Sequence, residues 1–376
     1  MDSFNRAQKP IDILYLDIAK AFDTVSHNKL LEVLYSYGIR GHVYGWIKAW
    51  LSNRAQRVKI DSSYSDYTPV SSGVPQGSRL GPILFLIYIN SLPDALHHSS
   101  VKIFADDTKI YFRVDSQHSI DCFKADIQAV FDWASNVQLT LALHKCIVLH
   151  VGHSNPATSF VINDITLSSQ NVCRDLGVLI SSDLKFVAHC KKTAEAANVM
   201  VSKIFNCFRS RNNKFLLKLY CTYVRPKLEY ASQVWNPSDL ASIDLIEGVQ
   251  RSFLSRLSGV GALSHTERLI FFGLETLELR RIKADLIFLY KIINGLVDIP
   301  FDSLFQFSDN KYGRAHSQKL VRPLVQSSVR KSSFAIRVVP VWNSLDETTV
   351  TAPTLSNFKA RLEHENLNPF LKRAPQ

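Results

Sequence analysis

Three aspartates interrupt strongly apolar segments of the chain. Asp17 ends the run Ile13–Leu16, and the pair Asp106 and Asp107 lies between two further apolar segments. Carboxylates that are clustered or buried are costly unless a cation or another partner neutralises them. Mg²⁺ is held by a few carboxylates together with water and substrate phosphates, and two such ions can serve an in-line phosphoryl displacement. An Asp-Asp pair alone is more often a solvated turn than a metal site, and both interpretations stay open at this point.

A glycine-containing loop is the second candidate site. Residues 72–78 read Ser-Gly-Val-Pro-Gln-Gly-Ser. Glycine allows the backbone to approach a ligand closely, and Gln76 offers both a hydrogen-bond donor and an acceptor. By itself the segment could also be a plain turn before the apolar residues 82–92.

The elements that must position these residues follow from the hydrophobic pattern. The pattern predicts helices whose bounds are 26–37, 41–51, 82–92 and 119–136. It predicts strands over 11–18, 101–104, 108–114 and 146–151, and two more strands, 58–60 and 67–70, on either side of a turn. A small β segment is expected over 157–180, with turns at 163–164 and 168–169, followed by mostly helical sequence over 183–297.

Charge is distributed unevenly along the 376 residues, whose net charge is +11. Residues 1–150 hold 15 basic and 14 acidic residues, whereas residues 185–229 hold ten basic and two acidic ones. Residues 310–345 hold seven basic residues and no acid. Such segments are typical of a protein that binds a polyanion such as nucleic acid, and a merely solvated surface is the alternative.

Composition excludes several other classes of protein. None of the six cysteines forms a CxxC pair, so we expect free thiols and no cysteine zinc site. The longest apolar run, residues 82–89, is far shorter than the ~20 residues of a membrane helix, so no membrane partner is expected. The N-terminus lacks the apolar core of a signal peptide, which favours an intracellular protein, in the nucleus or the cytoplasm.

The three segments occur together in one order: Leu16–Asp23 (Leu-Asp-Ile-Ala-Lys-Ala-Phe-Asp), Gly73–Ser78 and Phe104–Asp107. In this order they resemble the palm motifs of reverse transcriptases, in the form found in non-LTR, LINE-like retrotransposons. The resemblance continues through five later segments, which are Trp133–Gly152, Arg174–Val178 (similar to the primer grip), Tyr223–Tyr230, Val234–Pro237 and Val341–Leu345.

The resemblance implies a role for each matching residue. Asp17, Asp106 and Asp107 would be catalytic and would bind two Mg²⁺ ions, with Mn²⁺ as the alternative metal. The other assigned residues would contact the substrates: Phe22 as the gate that rejects a 2′-hydroxyl, Gln76 and Gly77 as the lining of the nucleotide and template pocket, and Lys145 as the acid that protonates pyrophosphate. Lys145 could equally be a surface residue near the phosphates. Asp23 and His27 match the pattern, and we interpret them as structural.

The fold implied is α+β: a right-hand polymerase palm, with an antiparallel sheet and helices, followed by an α-helical thumb and a basic tail. The expected domains are 1–180 (palm with partial fingers and the primer-grip segment), 181–300 (thumb-like) and 301–376 (tail).

The implied activity is that of an RNA-directed DNA polymerase, which joins dNTPs to a DNA primer on an RNA template. Few residues precede the first motif, so a 5′-truncated element that binds primer–template and extends it poorly or not at all by itself is expected. An inactive remnant that only binds nucleic acid is the alternative.

Overall fold

The computed structural model describes residues 9–308 and 316–373. The chain forms two compact units, Met1–Leu176 and Gly177–Gln376. The strands described in the first unit are β1 (Ile11–Leu16), β2 (Arg54–Gln56), β3 (Lys59–Ile60), β4 (Ser63–Tyr64), β5 (Thr68–Val70), β6 (Ser100–Phe104), β7 (Asp107–Arg113), β8 (Ile147–Val151), β9 (Val161–Ile162), β10 (Ile165–Thr166), β11 (Ser168–Ser169) and β12 (Val172–Asp175). Its α-helices are α1 (His27–Ser36), α2 (Gly41–Leu51), α3 (Leu80–Ile89) and α4 (Gln117–Asn136).

A five-stranded sheet in the order β11-β8-β1-β7-β6 supports the first unit. The central strand β1 runs antiparallel to both β7 and β8, β6 pairs antiparallel with β7, and the short β11 pairs parallel with β8. In the β1–β7 ladder, Leu16 lies opposite Thr108. The last residue of β1 therefore lies next to the first residues of β7.

The hydrophobic core of this unit joins the sheet to its helices. Leu14 of β1 and Val148 of β8 are fully buried, as are Phe85 of α3 and Phe123 of α4. Helix α4 begins with a capping box in which Ser116 and Ser119 exchange hydrogen bonds, and such a box satisfies backbone N–H groups that the first turn leaves unpaired. The core therefore holds the sheet and its covering helices as one body.

One local expectation for this unit is wrong and another is incomplete. The strands predicted over 58–60 and 67–70 are present as β3 and β5, but their partners were not predicted, since β3 pairs with β4 and β5 pairs with β2. The segment 168–169 is not a turn but strand β11, which extends the sheet alongside β8. In both places the partner strand is set by tertiary contacts, which local propensity does not report.

The second unit begins with strand β13 (Val178–Ser181) and is otherwise mainly helical. Its α-helices are α5 (Val187–Cys207), α6 (Asn213–Leu219), α7 (Arg225–Glu229), α8 (Ser232–Trp235), α9 (Leu240–Ser255), α10 (His265–Phe272), α11 (Leu277–Ile293), α12 (Ser328–Lys331), α13 (Phe334–Trp342), α14 (Glu347–Val350) and α15 (Leu355–Leu362). A π-helical turn, Tyr220–Val224, joins α6 to α7. None of the helices described in either unit is long and apolar enough to cross a bilayer.

The described part of 301–376 packs into the second unit. Trp342 of α13 and Phe358 of α15 are fully buried in one core with Leu286 and Leu289 of α11. An ion pair reinforces this core, because Arg337 donates to both carboxylate oxygens of Asp285 at 2.8 and 3.0 Å. The segment described as a basic tail is thus a folded part of this unit, and the unit boundary lies at Leu176–Gly177.

The predicted α+β class is confirmed, with an antiparallel sheet and helices in the first unit and helices in the second. The division by function at 1–180, 181–300 and 301–376 stays a prediction.

Candidate active site

Strand pairing brings the predicted carboxylates to one end of the sheet. Asp17 directly follows β1, and Asp107 begins the neighbouring β7. Phe104 pairs with Asp107 across the β6–β7 hairpin, so Ala105 and Asp106 form its two-residue turn. Three acidic residues from two distant parts of the chain therefore converge where these strands end.

The hairpin turn has a strained backbone. Ala105 has φ +53°, in the left-handed region that residues with a Cβ seldom occupy. Residues held in such conformations are concentrated at functional sites. In this hairpin the conformation sets the direction of Asp106 and Asp107, which follow it in the chain.

The pKa of Asp107 reflects electrostatic repulsion from the neighbouring carboxylates. Partial burial raises the pKa of the Asp107 carboxyl above its usual range, and repulsion from Asp106, Asp175 and Asp17 raises it further. Lys109 opposes this effect. A cluster of this kind attracts cations, because each carboxylate lowers the electrostatic cost of a positive charge beside the others.

Asp175 is a fourth acidic residue near this cluster, and sequence reasoning did not single it out as a site residue. It forms an ion pair with Lys109, and the Tyr15 hydroxyl donates to it at 3.4 Å. Burial, followed by repulsion from Asp175, raises the pKa of Tyr15 well above its usual range, so this hydroxyl keeps its proton. The sequence places Asp175 in a separate motif and gives no sign of these two partners. Lys109 pairs with Asp175, which leaves Asp106, Asp107 and the half-exposed Asp17 as the predicted cation ligands.

Lys145 lies beside the first of these carboxylates. Its Nζ is 3.8 Å from Oδ1 of Asp17, and both side chains are about half exposed. The N–H of Ala142 donates to the backbone oxygen of Asp17 at 2.8 Å, which fixes the segment that carries Lys145. An exposed ion pair of this kind contributes little to stability. Its position leaves the ammonium group beside the carboxylates and able to move toward an anionic substrate.

The Gln76 loop is attached to the segment that follows β1. Gln76 Nε2 donates to Oδ1 of Asp23 at 2.8 Å. The backbone N–H groups of Gly73 and Val74 donate to the backbone oxygens of Val25 and Phe22, each at 2.8 Å. Gln76 and Gly77 are themselves exposed. The two predicted motifs therefore form one rigid surface, in which the Gln76 amide is held by Asp23.

Asp23 and His27 belong to this attachment, in keeping with their structural interpretation. Asp23 also accepts a hydrogen bond from the Ser72 hydroxyl at 2.9 Å. His27 Nε2 donates to the backbone oxygen of Gly73 at 2.8 Å, in the tautomer that this contact requires.

Phe22 is half-buried, and its ring stacks on Phe85 of α3, with 4.5 Å between ring centroids and an interplanar angle of 30°. The contact fixes the orientation of the ring at the base of the surface that bears Asp17 and Gln76. Packing against Phe85 is what a core phenylalanine would do as well, so the role of Phe22 as a gate stays a prediction.

The donor set suits a hard divalent cation. Within 9–308 and 316–373, no group of three or more His, Cys, Asp or Glu side chains is arranged to hold a metal ion. Mg²⁺, however, uses few protein carboxylates and takes its other ligands from water and phosphates. The neighbouring, mutually repelling carboxylates of Asp17, Asp106 and Asp107 match that requirement, and their assignment as metal ligands stays a prediction.

Comparison with known proteins identifies the class. The family model described as "Reverse transcriptase (RNA-dependent DNA polymerase)" matches residues 1–210, which is more than half of the chain. The chain therefore belongs to the reverse transcriptase family, and the resemblance inferred from its motifs is confirmed.

Two of the relatives that match are named as proteins of mobile elements. The chain is 27% identical over 256 residues to "Probable RNA-directed DNA polymerase from transposon X-element" of Drosophila melanogaster, covering 65% of this chain and 28% of that relative. It is 26% identical over 260 residues to "RNA-directed DNA polymerase from mobile element jockey" of the same organism, with the same two coverages. The match therefore spans less than a third of the length of either relative.

Among solved structures, the chain is similar to telomerase from Candida tropicalis in complex with a fragment of telomeric RNA. The TM-score is 0.38 and the identity 12%, over 75% of this chain and 50% of that one.

Proposed function

We propose that this chain carries the polymerase centre of a non-LTR retrotransposon reverse transcriptase. The reaction is RNA-directed DNA synthesis: a primer 3′-oxygen bonds to the α-phosphorus of a dNTP, and pyrophosphate leaves. The observation that carries the proposal is the convergence of Asp17 with Asp106 and Asp107 at the ends of adjacent strands, in a chain that belongs to this family.

The residues of the site have different roles in this reaction. Asp17, Asp106 and Asp107 bind two Mg²⁺ ions, which supply charge stabilisation for the attacking and leaving oxygens when bound. Lys145 lies beside Asp17. From there its ammonium group gives a proton to the departing pyrophosphate. Gln76 and Gly77 line the nucleotide and template pocket, and Phe22 lies beneath the incoming sugar and excludes a 2′-hydroxyl.

The second unit supplies the electrostatic surface for the RNA template and DNA primer. All ten basic residues of 185–229 except the half-buried Arg225 are exposed. Most of the ten lie within α5, α6 and α7. Positive charge on an exposed helical surface binds phosphates without regard to base sequence, and this binding weakens as salt is added.

Primer extension tests the proposed function. The full chain is given an RNA template, a labelled DNA primer, dNTPs and Mg²⁺ or Mn²⁺, and single-nucleotide addition is measured beside that of Asp106→Ala. We expect slow addition that needs the divalent ion and that Asp106→Ala abolishes. Binding of the primer–template with no addition under either metal would instead favour a remnant that only binds nucleic acid. Equal addition by both proteins would reject the carboxylate site.

A further inference from the structure

A two-part β-hairpin lies between α2 and the Gln76 loop, and we call residues 54–70 the hairpin arm. Strands β2 and β5 form its base, and β3 and β4 form its tip. No residue from 52 to 70 is buried. An isolated hairpin without a hydrophobic face is marginally stable in water, so the arm contributes little to the core. Its exposed side chains are available for another purpose.

The arm presents two aromatic rings organised by a cation. The Arg57 guanidinium lies over both rings, 3.9 Å from the centroid of Tyr64 and 4.7 Å from that of Tyr67. The Nζ of Lys59 lies 5.4 Å from the Tyr64 centroid. Tyr64 and Tyr67 nevertheless stay 50% and 64% exposed. The cation–π contacts therefore orient the rings while much of their surface remains open to solvent.

A second set of exposed rings occurs in the same unit, on α1 and α2. Trp46 is 59% exposed and stacks nearly parallel to Trp50, with 6.1 Å between centroids. The Arg40 guanidinium lies 3.3 Å from the centroid of Tyr35, which is 54% exposed. Large exposed aromatic rings with cations beside them indicate a binding surface more than a solvated one.

The charge around the arm favours a polyanion. Residues 33–93 contain six basic and two acidic residues, whereas the rest of 1–150 contains nine basic and twelve acidic ones. The near-neutral first 150 residues thus contain a locally positive segment that includes the arm, where Arg54, Arg57 and Lys59 outnumber Asp61 and Asp66. Its basic residues are Arg40, Lys48, Arg54, Arg57, Lys59 and Arg79.

We propose that the hairpin arm binds single-stranded nucleic acid, with bases stacked on Tyr64 and Tyr67 and phosphates paired with Arg57 and Lys59. Aromatic side chains stack on unpaired bases without regard to sequence, and cations hold the backbone beside them. A duplex fits this surface less well because its base faces already stack on one another. The proposal does not depend on the roles of the catalytic carboxylates.

The test uses the full chain and labelled 12-nucleotide oligo(U) and oligo(dT), with a 12-base-pair duplex as comparison. Dissociation constants are measured by fluorescence anisotropy. The double variant Tyr64→Ala/Tyr67→Ala should weaken single-strand binding at least about tenfold, because each lost stack removes a base contact. Arg57→Lys should weaken it by less, since the charge stays and the planar group is lost. Ile60→Ala, at a 70% exposed position of the same arm, should change it less than about twofold.

Photo-crosslinking distinguishes the arm from the basic surface of 185–229. Oligonucleotides that carry 5-iodouracil are irradiated with the protein, and the crosslinked peptides are mapped by mass spectrometry. We expect crosslinks at Tyr64 or Tyr67, from RNA, DNA or both, which identifies the sugar that the arm accepts. Asp107→Asn should keep these crosslinks, so a failed polymerase assignment would not remove them. Any one of three results would overturn the proposal. The double tyrosine variant could bind the single strand with an unchanged dissociation constant, or the unmodified chain could bind the duplex more tightly than the single strand. The protein could also be an oligomer that dissociates when Ile60 is replaced by alanine.

Discussion

Replacement of Gly73 by alanine should detach the Gln76 loop from the segment after β1. Gly73 has φ +85°, and a Cβ there would lie 2.7 Å from the backbone oxygen and 2.8 Å from the Cα of Asp23. The left-handed backbone costs an alanine roughly 1–2 kcal/mol. The clash with backbone atoms, which cannot rotate away, adds about 1–3 kcal/mol. Gly73→Ala should therefore lower the free energy of unfolding by about 2–5 kcal/mol.

Gly38 offers a matched control. Its φ is +86°, and a Cβ added there meets nothing within 4 Å, so Gly38→Ala bears only the backbone cost. Urea unfolding of both variants, with similar slopes, isolates the clash as the difference between the two losses. Equal losses would refute the reasoning, because the contact with Asp23 would then contribute nothing.

The same variant should lose polymerase activity beyond its loss of stability. The loop would have to move to relieve the clash, and Gln76 would move with it. A misplacement of ~1 Å at a reacting centre can cost ~100-fold in rate. Single-nucleotide addition by the folded fraction of Gly73→Ala should fall by about that factor, and addition by Gly38→Ala should stay near that of the unmodified chain.

Three further predictions concern the gate, a buried ion pair and pH. Phe22→Ala should raise ribonucleotide relative to deoxynucleotide incorporation, and an unchanged ratio would return Phe22 to a packing role. Arg337→Ala should lower the free energy of unfolding in urea by about 3–5 kcal/mol, because it removes the cation paired with Asp285, which is only 4% exposed. Lys29→Ala, which breaks an exposed ion pair, should lower it by less than about 1 kcal/mol. Burial lowers the pKa of His189 to about 4, so stability present above about pH 6.5 should be lost as pH falls toward 4. The free energy of unfolding of His189→Gln should lack that part of the pH dependence. A pH profile identical to that of the unmodified chain would contradict this prediction.

The positions of the three aspartates were predictable because carboxylates interrupt apolar strands there. Asp17 and Asp107 each adjoin a short apolar run, and a run of that kind between turn residues predicts a buried strand. The order of the motifs then identified the family. Pattern alone did not show that β1 and β7 are neighbours, since strand pairing over such a distance in sequence depends on the whole core.

The remaining features depend on tertiary contacts that leave no local signal. Asp175 is near Asp107 only because β12 returns to the site, and its partner Lys109 lies on another strand. The attachment of Gln76 to Asp23 joins two motifs whose contact no periodicity reports. The nested pairing of the hairpin arm was missed because two-residue strands are too short for alternation to establish their register.

The folded state of the last segment was also missed. The basic residues of 301–376 suggested a tail, whereas Trp342 and Phe358 are buried in one core with residues of α11. Widely spaced apolar residues in short helices gave too weak a period to predict this packing. Among the basic residues described there, Arg322, Lys331, Lys359 and Lys372 are exposed, and the half-buried Arg337 pairs with the buried Asp285.

The central claim is that Asp17, Asp106 and Asp107 bind the divalent ions used in nucleotide addition. Its most direct test is Mn²⁺ binding followed by electron paramagnetic resonance, with primer, RNA template and dNTP present. Asp107→Asn is compared with Asp121→Asn, an exposed carboxylate on α4. We predict that Asp107→Asn weakens Mn²⁺ binding at least about tenfold while Asp121→Asn leaves it unchanged. Equal Mn²⁺ affinity in Asp107→Asn and the unmodified chain would contradict the account.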